Sequence, residues 1–236
     1  MRTQNRSMLE GPLFRNIILY TIPVMLTGVL QLLFNAADLV IVGRFCGSIS
    51  VAAVGATGAI TNLIVNLFIG LSVGAGVTVA HGLGGEDDEA VSRTVHTAVP
   101  TAIITGLILT VIGINLAKPV LIWMETPDNV LPLSAIYMQI YFAGMPFSML
   151  YNFCASILRA AGDTKSPLTF LSLAGVINVV LNVFFVTVFH MNVAGVALAT
   201  ILSQVVSALL YSVPSCAART PVISSCGKCT FISPSL

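Results

Sequence analysis

The chain of 236 residues carries too few charges to cover the surface of a soluble domain. Only 8% of its residues are charged and 56% are hydrophobic, and the mean hydropathy is +0.98. Soluble domains carry about 25% charged residues. The net charge of +1 and the lack of a basic cluster in the sequence give no indication of nucleic-acid binding. The composition is that of an integral membrane protein in contact with the lipid bilayer.

Six apolar stretches are long enough to cross a bilayer core of about 30 Å as helices. Barrel strands would be about ten residues long with strict alternation. We therefore predict an all-α membrane protein whose six-helix lobe covers residues 1–213, with the first span retained rather than cleaved as a signal peptide. The predicted spans lie near residues 14–42, 51–80, 94–117, 131–158, 167–189 and 193–213.

The placement of Lys and Arg predicts the orientation of these spans, because such residues are more frequent on the cytoplasmic side. Only Arg44 and Lys118 fall on the side opposite the amino terminus. Both termini are therefore predicted to lie in the cytoplasm, with the chain in the cell (inner) membrane. The basic residues on the cytoplasmic side are Arg2, Arg6, Arg15, Arg93, Arg159, Lys165, Arg219 and Lys228.

The tail, residues 214–236, is rich in Ser, Cys and Pro and has no helical periodicity. We predict that it is irregular and cytoplasmic. Its Cys226-x-x-Cys229 pair is half of a zinc or redox motif, and the sequence holds no second half.

Asp38 is the one acidic residue inside a predicted span. An aspartate at mid-membrane costs roughly 2.5–3.5 kcal/mol on insertion scales, so its presence indicates a function. Thr27, Gln31 and Asn35 precede it at helical spacing and form a polar stripe with it. Such a stripe must face protein or a water-filled cavity. Pro23 removes a backbone donor upstream and predicts a hinge in this helix.

Polar residues of the fifth and sixth spans lie at the depth of Asp38. With a rise of about 1.5 Å per residue, Asp38 is ~9 Å from the outer end of its span, Asn182 ~12 Å and Thr200 ~10 Å. Asn178 lies about one turn deeper on the face of Asn182. These four residues are predicted to share a site. Two alternatives stay open: a hydrated Asp38 paired with Arg44, and Asn and Thr side chains that only join helices.

Two sets of residues indicate packing. Glycines of the second span are predicted to form one small-xxx-small face, and methionines of the fourth span are interpreted as core or lipid-facing, with an adaptable apolar cleft as the alternative. The glycines are Gly70, Gly74 and Gly76, and the methionines are Met138, Met145 and Met149. The sequence shows neither a nucleophile–base pair nor a metal cluster, so an enzyme is not expected.

The chain resembles the multidrug and toxic compound extrusion (MATE) family of secondary transporters over about residues 8–213. The resemblance rests on the first-span pattern "IPVMLTGVLQLLFNAADLVIVGRF" and on "AAVGATG", "GLSVGAGV", "LRAAGDTKSPL" and "GVALATILSQ". It implies export of bulky, often cationic organic compounds, driven by inward flow of sodium ions or protons and without another cofactor. It also implies that Asp38, Asn178, Asn182 and Thr200 bind the coupling cation, and that Pro23 bends the first helix during the cycle.

Two features depart from that family. Its members of this kind usually carry an aspartate where this chain has Asn182. The family has two six-helix lobes with the substrate between them, whereas this chain has one. A missing second lobe or a homodimer partner is therefore expected, and the tail is interpreted as a truncation product. The alternatives are a truncated, non-transporting remnant and a flippase for lipid-linked saccharides, which predicts basic residues within the cavity.

Overall fold

A computed structural model describes residues 13–212, and the secondary structure in that range is entirely α-helical. The predicted tail lies outside the described residues. The helices of the described part are α1 (Leu13–Phe45), α2 (Ser48–Gly84), α3 (Asp88–Trp123), α4 (Leu131–Ala143), α5 (Met145–Ala160), α6 (Lys165–Thr187) and α7 (Asn192–Ser212).

The helices confirm the predicted all-α membrane fold. Five of them are each long and apolar enough to cross a membrane, and α4 and α5 make a sixth crossing when the bent pair counts as one span. Several helices extend beyond the predicted spans, and at the start of α3 a polar side chain caps the helix. The carboxylate of Asp87 accepts a hydrogen bond from the Ala90 amide at 2.9 Å and so caps α3.

The fourth span is broken, in contrast to the continuous helix predicted for residues 131–158. Helices α4 and α5 meet at Gly144 with a bend of 50°. Pro146 has no N–H to donate to the carbonyl of Phe142, four residues earlier. The hydroxyl of Thr110 on α3 donates to that carbonyl instead, at 2.8 Å. The bend therefore follows from the proline, and α3 satisfies the backbone group that the proline leaves free.

The main apolar core lies between α2, α3 and the bent pair α4–α5. The ring of Phe142 occupies the space in which a β-carbon on Gly113 would lie, so a larger residue there would displace it. Met138, Met145 and Met149 are at most 1% exposed. They are packing residues of this core, and the alternative of a methionine-lined cleft is wrong for these three.

The glycines of α2 fall on two faces rather than on the single face predicted from the sequence. A β-carbon on Gly76 would clash with Ser156 of α5, whereas nothing lies within 4 Å of the corresponding positions on Gly70 and Gly74. The prediction of one packing face is therefore wrong, because of these three glycines only Gly76 points toward the rest of the lobe.

Helix α1 packs along α6 at the edge of the lobe. The ring of Phe34 fills the space beside Gly175, where α6 has no side chain. Further toward the α1–α2 turn, Ile41 packs with Val186 of α6 and Val196 of α7. These contacts bring α1, α6 and α7 together at the depth of Asp38.

Candidate functional site

Four polar side chains from α1, α6 and α7 form one hydrogen-bonded chain. Asn182 Nδ2 donates to Asp38 Oδ1 and also to Asn178 Oδ1, the latter at 3.2 Å. Asn178 Nδ2 in turn donates to Thr200 Oγ1 at 3.3 Å. The four residues that the sequence analysis assigned to one site are therefore in contact.

The geometry of α6 makes this chain continuous. Asn178 and Asn182 are one helical turn apart, so their amides lie one above the other on the face between α1 and α7. Asn182 is 0% and Asn178 5% exposed, and buried amides need hydrogen-bond partners. Thr200 ends the chain, since its hydroxyl donates to the carbonyl of Val196 in its own helix at 3.0 Å.

One polar atom of the site makes no hydrogen bond within the described residues. Asn182 Oδ1 is buried and has no hydrogen-bond partner in the described part of the chain. A charged carboxylate only accepts hydrogen bonds, so Asp38 makes Asn182 present its N–H groups and turn its oxygen away. Leaving a buried amide oxygen unpaired costs about 1–3 kcal/mol.

The partner of Asp38 lies on another helix and not at the outer interface. Asp38 is half-buried and accepts its hydrogen bond from Asn182, whereas Arg44 is exposed. The ion pair that the structure shows between residues 13 and 212 joins Arg93 to Glu89 on the surface of α3. The described residues therefore show no pairing of Asp38 with Arg44, which that alternative predicted.

Tyr137 of α4 lies near the site. The charge of the Asp38 carboxylate acts electrostatically on the Tyr137 phenol. Its ring also stacks on Tyr141, with centroids 6.1 Å apart. Tyr137 was not among the site residues predicted from the sequence. A tyrosine inside an apolar span was nevertheless a usable signal, because a buried phenol needs a polar neighbour.

The remaining residues of the α1 stripe differ in their surroundings. Thr27 is buried, and its hydroxyl donates to the carbonyl of Pro23 at 2.8 Å. Gln31 and Asn35 are exposed, and neither side chain has a hydrogen-bond partner within residues 13–212. Helix α1 is continuous through Pro23, so the hinge predicted there stays a prediction.

The chemistry of the site suits a cation with oxygen ligands. Within the described residues no three His, Cys, Asp or Glu side chains lie close enough together to hold a metal ion. The chain from Asp38 to Thr200 instead offers carboxylate, amide and hydroxyl oxygens, which hard cations prefer. With one carboxylate, it can balance one positive charge.

The chain is similar to known membrane transporters. The MatE family model matches residues 23–184. The chain is 34% identical over 200 residues to the probable multidrug resistance protein YpnP of Bacillus subtilis (strain 168), a match that covers 83% of this chain and 44% of the relative. It is 31% identical over 215 residues to the probable multidrug resistance protein YoeA of the same organism, with 89% and 46% covered.

The fold is also similar to solved structures. A crystal structure of MATE in the bent conformation matches 90% of this chain and 47% of its own, with a TM-score of 0.83 and 27% identity. A MOP superfamily transporter from Pyrococcus furiosus matches over the same shares, with a TM-score of 0.82 and 29% identity. The chain spans about half the length of the curated relatives that it matches. It belongs to the MatE family, a family of membrane transporters rather than enzymes.

Proposed function

We propose that this chain forms a cation-coupled lobe of an exporter for bulky, often cationic organic compounds. In this proposal Asp38 takes up one sodium ion or one proton. The observation that carries it is the hydrogen-bonded chain of three neutral polar side chains, two of them buried, that ends on a single half-buried carboxylate. The names of the relatives, which are multidrug resistance proteins, support export of drug-like compounds.

Uptake of a cation changes which atom Asn182 must present to Asp38. A protonated Asp38 donates through its O–H, and a sodium ion needs an oxygen ligand. In this proposal the amide of Asn182 rotates on cation uptake and faces Asp38 with Oδ1, the atom that is now without a partner.

The rotation reverses the hydrogen bonds as far as α7. Once Asn182 Oδ1 lies beside Asn178, Asn178 must turn its N–H toward it and its own oxygen toward Thr200. The Thr200 hydroxyl then donates to Asn178 and releases the carbonyl of Val196, to which it is now bonded at 3.0 Å. A cation bound on α1 thereby alters a backbone hydrogen bond on α7, which is a route for coupling.

The charges of the lobe favour cationic rather than anionic cargo. The Lys and Arg residues of the described part lie near the ends of helices, away from the depth of Asp38. The flippase alternative predicts basic residues in the cavity, and the described spans supply none at that depth. The Lys and Arg residues at the helix ends are Arg15, Arg44, Arg93, Lys118, Arg159 and Lys165.

The test is transport by the purified chain in lipid vesicles. Export of the fluorescent cation ethidium is measured while the sodium gradient and the pH gradient are varied independently. We expect export to require one of the two gradients, and Asp38→Asn to abolish that dependence. The matched control is Glu89→Gln, which removes an exposed carboxylate from α3 and should leave export unchanged.

Two results would count against the proposal. If Asp38→Asn retains export that responds to sodium and pH as the wild type does, Asp38 is not the coupling group. If the correctly inserted wild-type chain moves no ethidium under any gradient, the chain alone is not a transporter, and the non-transporting alternative is favoured.

A further inference from the structure

Three small residues of α3 form one face against the break in the fourth span. Gly106, Thr110 and Gly113 are spaced by four and three residues, so they lie on the same side of the helix. A β-carbon on Gly106 would clash with the backbone of Pro146. On the other side of Thr110, a β-carbon on Gly113 would clash with the ring of Phe142. The break is therefore seated closely on α3, with Thr110 between the two glycines.

The hydroxyl of Thr110 connects α3 to this break. Its Oγ1 lies 2.8 Å from the carbonyl oxygen of Phe142 and 3.0 Å from that of Gly106 in its own helix. A hydroxyl has a single hydrogen to donate, so the two carbonyls share it. The carbonyl of Gly106 also accepts the regular helical bond of α3, whereas that of Phe142 has lost its helical donor at Pro146. Removing the hydroxyl would therefore remove a hydrogen bond at the break that no helical N–H replaces.

The break also contacts α7, next to the candidate cation site. Gly144, the residue between α4 and α5, is buried, and a β-carbon on it would clash with the side chain of Ile201. Ile201 directly follows Thr200, the residue of α7 that ends the hydrogen-bonded chain from Asp38. Because adjacent residues of one helix move together, a shift of the break against Ile201 would also shift the Thr200 hydroxyl.

We infer that Thr110 is a positioning residue of the cation site. Its hydrogen bond sets the angle of the α4–α5 bend, and the contact of Gly144 with Ile201 carries that setting to Thr200. Closely packed interiors transmit strain in this way, because they have little free volume to absorb a shift. The inference rests on the cation binding proposed above. It adds a residue of α3, a helix that supplies no side chain to the hydrogen-bonded chain from Asp38 to Thr200.

The first test measures the Kd of the coupling cation in variants of Thr110. The purified chain is unfolded thermally in detergent micelles over a range of sodium concentrations and, separately, of pH. The Kd follows from the cation concentration at which Tm begins to change. Thr110→Val keeps the shape of the side chain but lacks the hydroxyl. We expect its Kd to be higher by about threefold or more, within the range by which residues outside a binding site alter coupling.

Two further variants separate positioning from a general loss of stability, which would lower Tm at every cation concentration without changing the Kd. Thr110→Ser keeps the hydroxyl and should restore the wild-type Kd. Thr97→Val makes the valine substitution at an exposed position of α3, where the hydroxyl donates to the carbonyl of Arg93 in the same helix at 2.8 Å. It removes a bond within α3 but none to another helix, so its Kd should equal that of the wild type.

A second set of variants tests the contact between the break and α7. Gly144 has a negative φ of −82°, which alanine also adopts. Gly144→Ala therefore acts through its clash with Ile201, and it should raise the Kd of the cation as Thr110→Val does. Ile201→Ala in the same chain removes the nearest clashing atoms and should bring the Kd back toward that of the wild type. Gly84→Ala is the control, since nothing lies within 4 Å of a β-carbon there.

A double variant tests the route through Thr200. If Thr110 acts through that residue, Thr110→Val should raise the Kd less in a chain that already carries Thr200→Val, so the two effects should not add. Full additivity, or a Kd of Thr110→Val equal to that of Thr97→Val, would overturn the inference and leave the cation coupling intact. A wild-type Tm that responds to neither sodium nor pH would contradict the cation coupling itself, and the inference with it.

Discussion

The amide of Asn182 donates a hydrogen bond to the carboxylate of Asp38, a residue 144 positions earlier in the chain. This contact joins the first helix to the sixth inside an otherwise apolar lobe. Asn182 is fully buried while Asp38 is half-buried. The carboxylate is thus held by protein on one side and accessible on the other, as a group that exchanges a cation must be.

Replacing Asn182 by aspartate would place a second carboxylate against Asp38. Two carboxylates in hydrogen-bonding contact cannot both be charged unless a cation lies between them. We therefore expect the Tm of Asn182→Asp to depend on sodium or protons more steeply than that of the wild type. A cation at a hundred times its Kd stabilises a protein by about 2.7 kcal/mol. The measurement is thermal unfolding in sodium chloride against choline chloride, over a range of pH.

The control for this change is Asn129→Asp, which makes the same substitution at an exposed position between α3 and α4. Its Tm should respond to sodium and pH as the wild type does. If Asn182→Asp behaves like this control, the proposed contact of residue 182 with the bound cation is wrong.

Removing the Thr200 hydroxyl should destabilise the site by leaving a donor unpaired. Thr200→Val keeps the shape of the side chain but removes the acceptor of the Asn178 N–H, which is bonded to Thr200 Oγ1 at 3.3 Å. An unsatisfied buried donor costs about 1–3 kcal/mol. Thr200→Ser retains the hydroxyl and should preserve most of the stability. Unfolding in mixed micelles measures the difference, and equal stability of the two variants would contradict the chain of hydrogen bonds.

The meeting of Asp38, Asn182 and Thr200 could be predicted because it depends mainly on depth. Helical rise is nearly constant at about 1.5 Å per residue, so depth follows from residue numbers once the ends of the spans are placed. The approach of Tyr137 to the same site could not be predicted in this way. It depends on how α4 is rotated and bent against its neighbours, which residue numbers do not give.

The broken fourth span shows a different limit. Pro146 was visible in the sequence, but the apolar stretch from 131 to 158 was long enough to be interpreted as one span. The carbonyl of Phe142 accepts a hydrogen bond from a hydroxyl of α3 at 2.8 Å. This tertiary contact satisfies the carbonyl that has no helical partner at the break. Similarly, only the position of α5 distinguishes Gly76, which packs inside, from Gly70, which faces outward.

A β-carbon at position 175 should separate α1 from α6. In Gly175→Ala the added methyl would occupy the space of the Phe34 ring, and overpacking of this kind costs about 1–3 kcal/mol. Phe34→Leu in the same chain should restore part of the lost stability by making room. Gly28→Ala is the control, since nothing lies within 4 Å of a β-carbon there. A loss of stability equal to that of the control would contradict the packing of α1 on α6.

The orientation predicted from Lys and Arg can be tested by chemical labelling. In a cysteine-free chain, Asp128→Cys lies in the connection between α3 and α4, and Glu89→Cys lies at the opposite end of α3. We expect a membrane-impermeant maleimide to label the first in intact cells, and the second only after the membrane is permeabilised. The reverse pattern would place the termini outside.

The predicted hinge at Pro23 lies between two contacts that hold α1. On the amino-terminal side of Pro23, the hydroxyl of Tyr20 donates to the carbonyl of Arg159 at the end of α5, at 3.1 Å. On the carboxyl-terminal side, Asp38 is hydrogen-bonded to Asn182. Movement of the amino-terminal part of α1 would have to break the Tyr20 contact. Pro23 weakens the helix close to that contact because it cannot donate to the carbonyl of Leu19.

Pro23→Ala should therefore stiffen α1. Alanine supplies the missing N–H, and the exchange stabilises a helix interior by up to about 3 kcal/mol. We expect slower ethidium export by this variant together with an unchanged dependence of its Tm on the coupling cation, because the substitution leaves Asp38 and its partners in place. Pro100→Ala, at another proline inside a helix, is the matched control and should export at the wild-type rate. If Pro23→Ala exports as fast as this control, bending at Pro23 is not a step of the transport cycle.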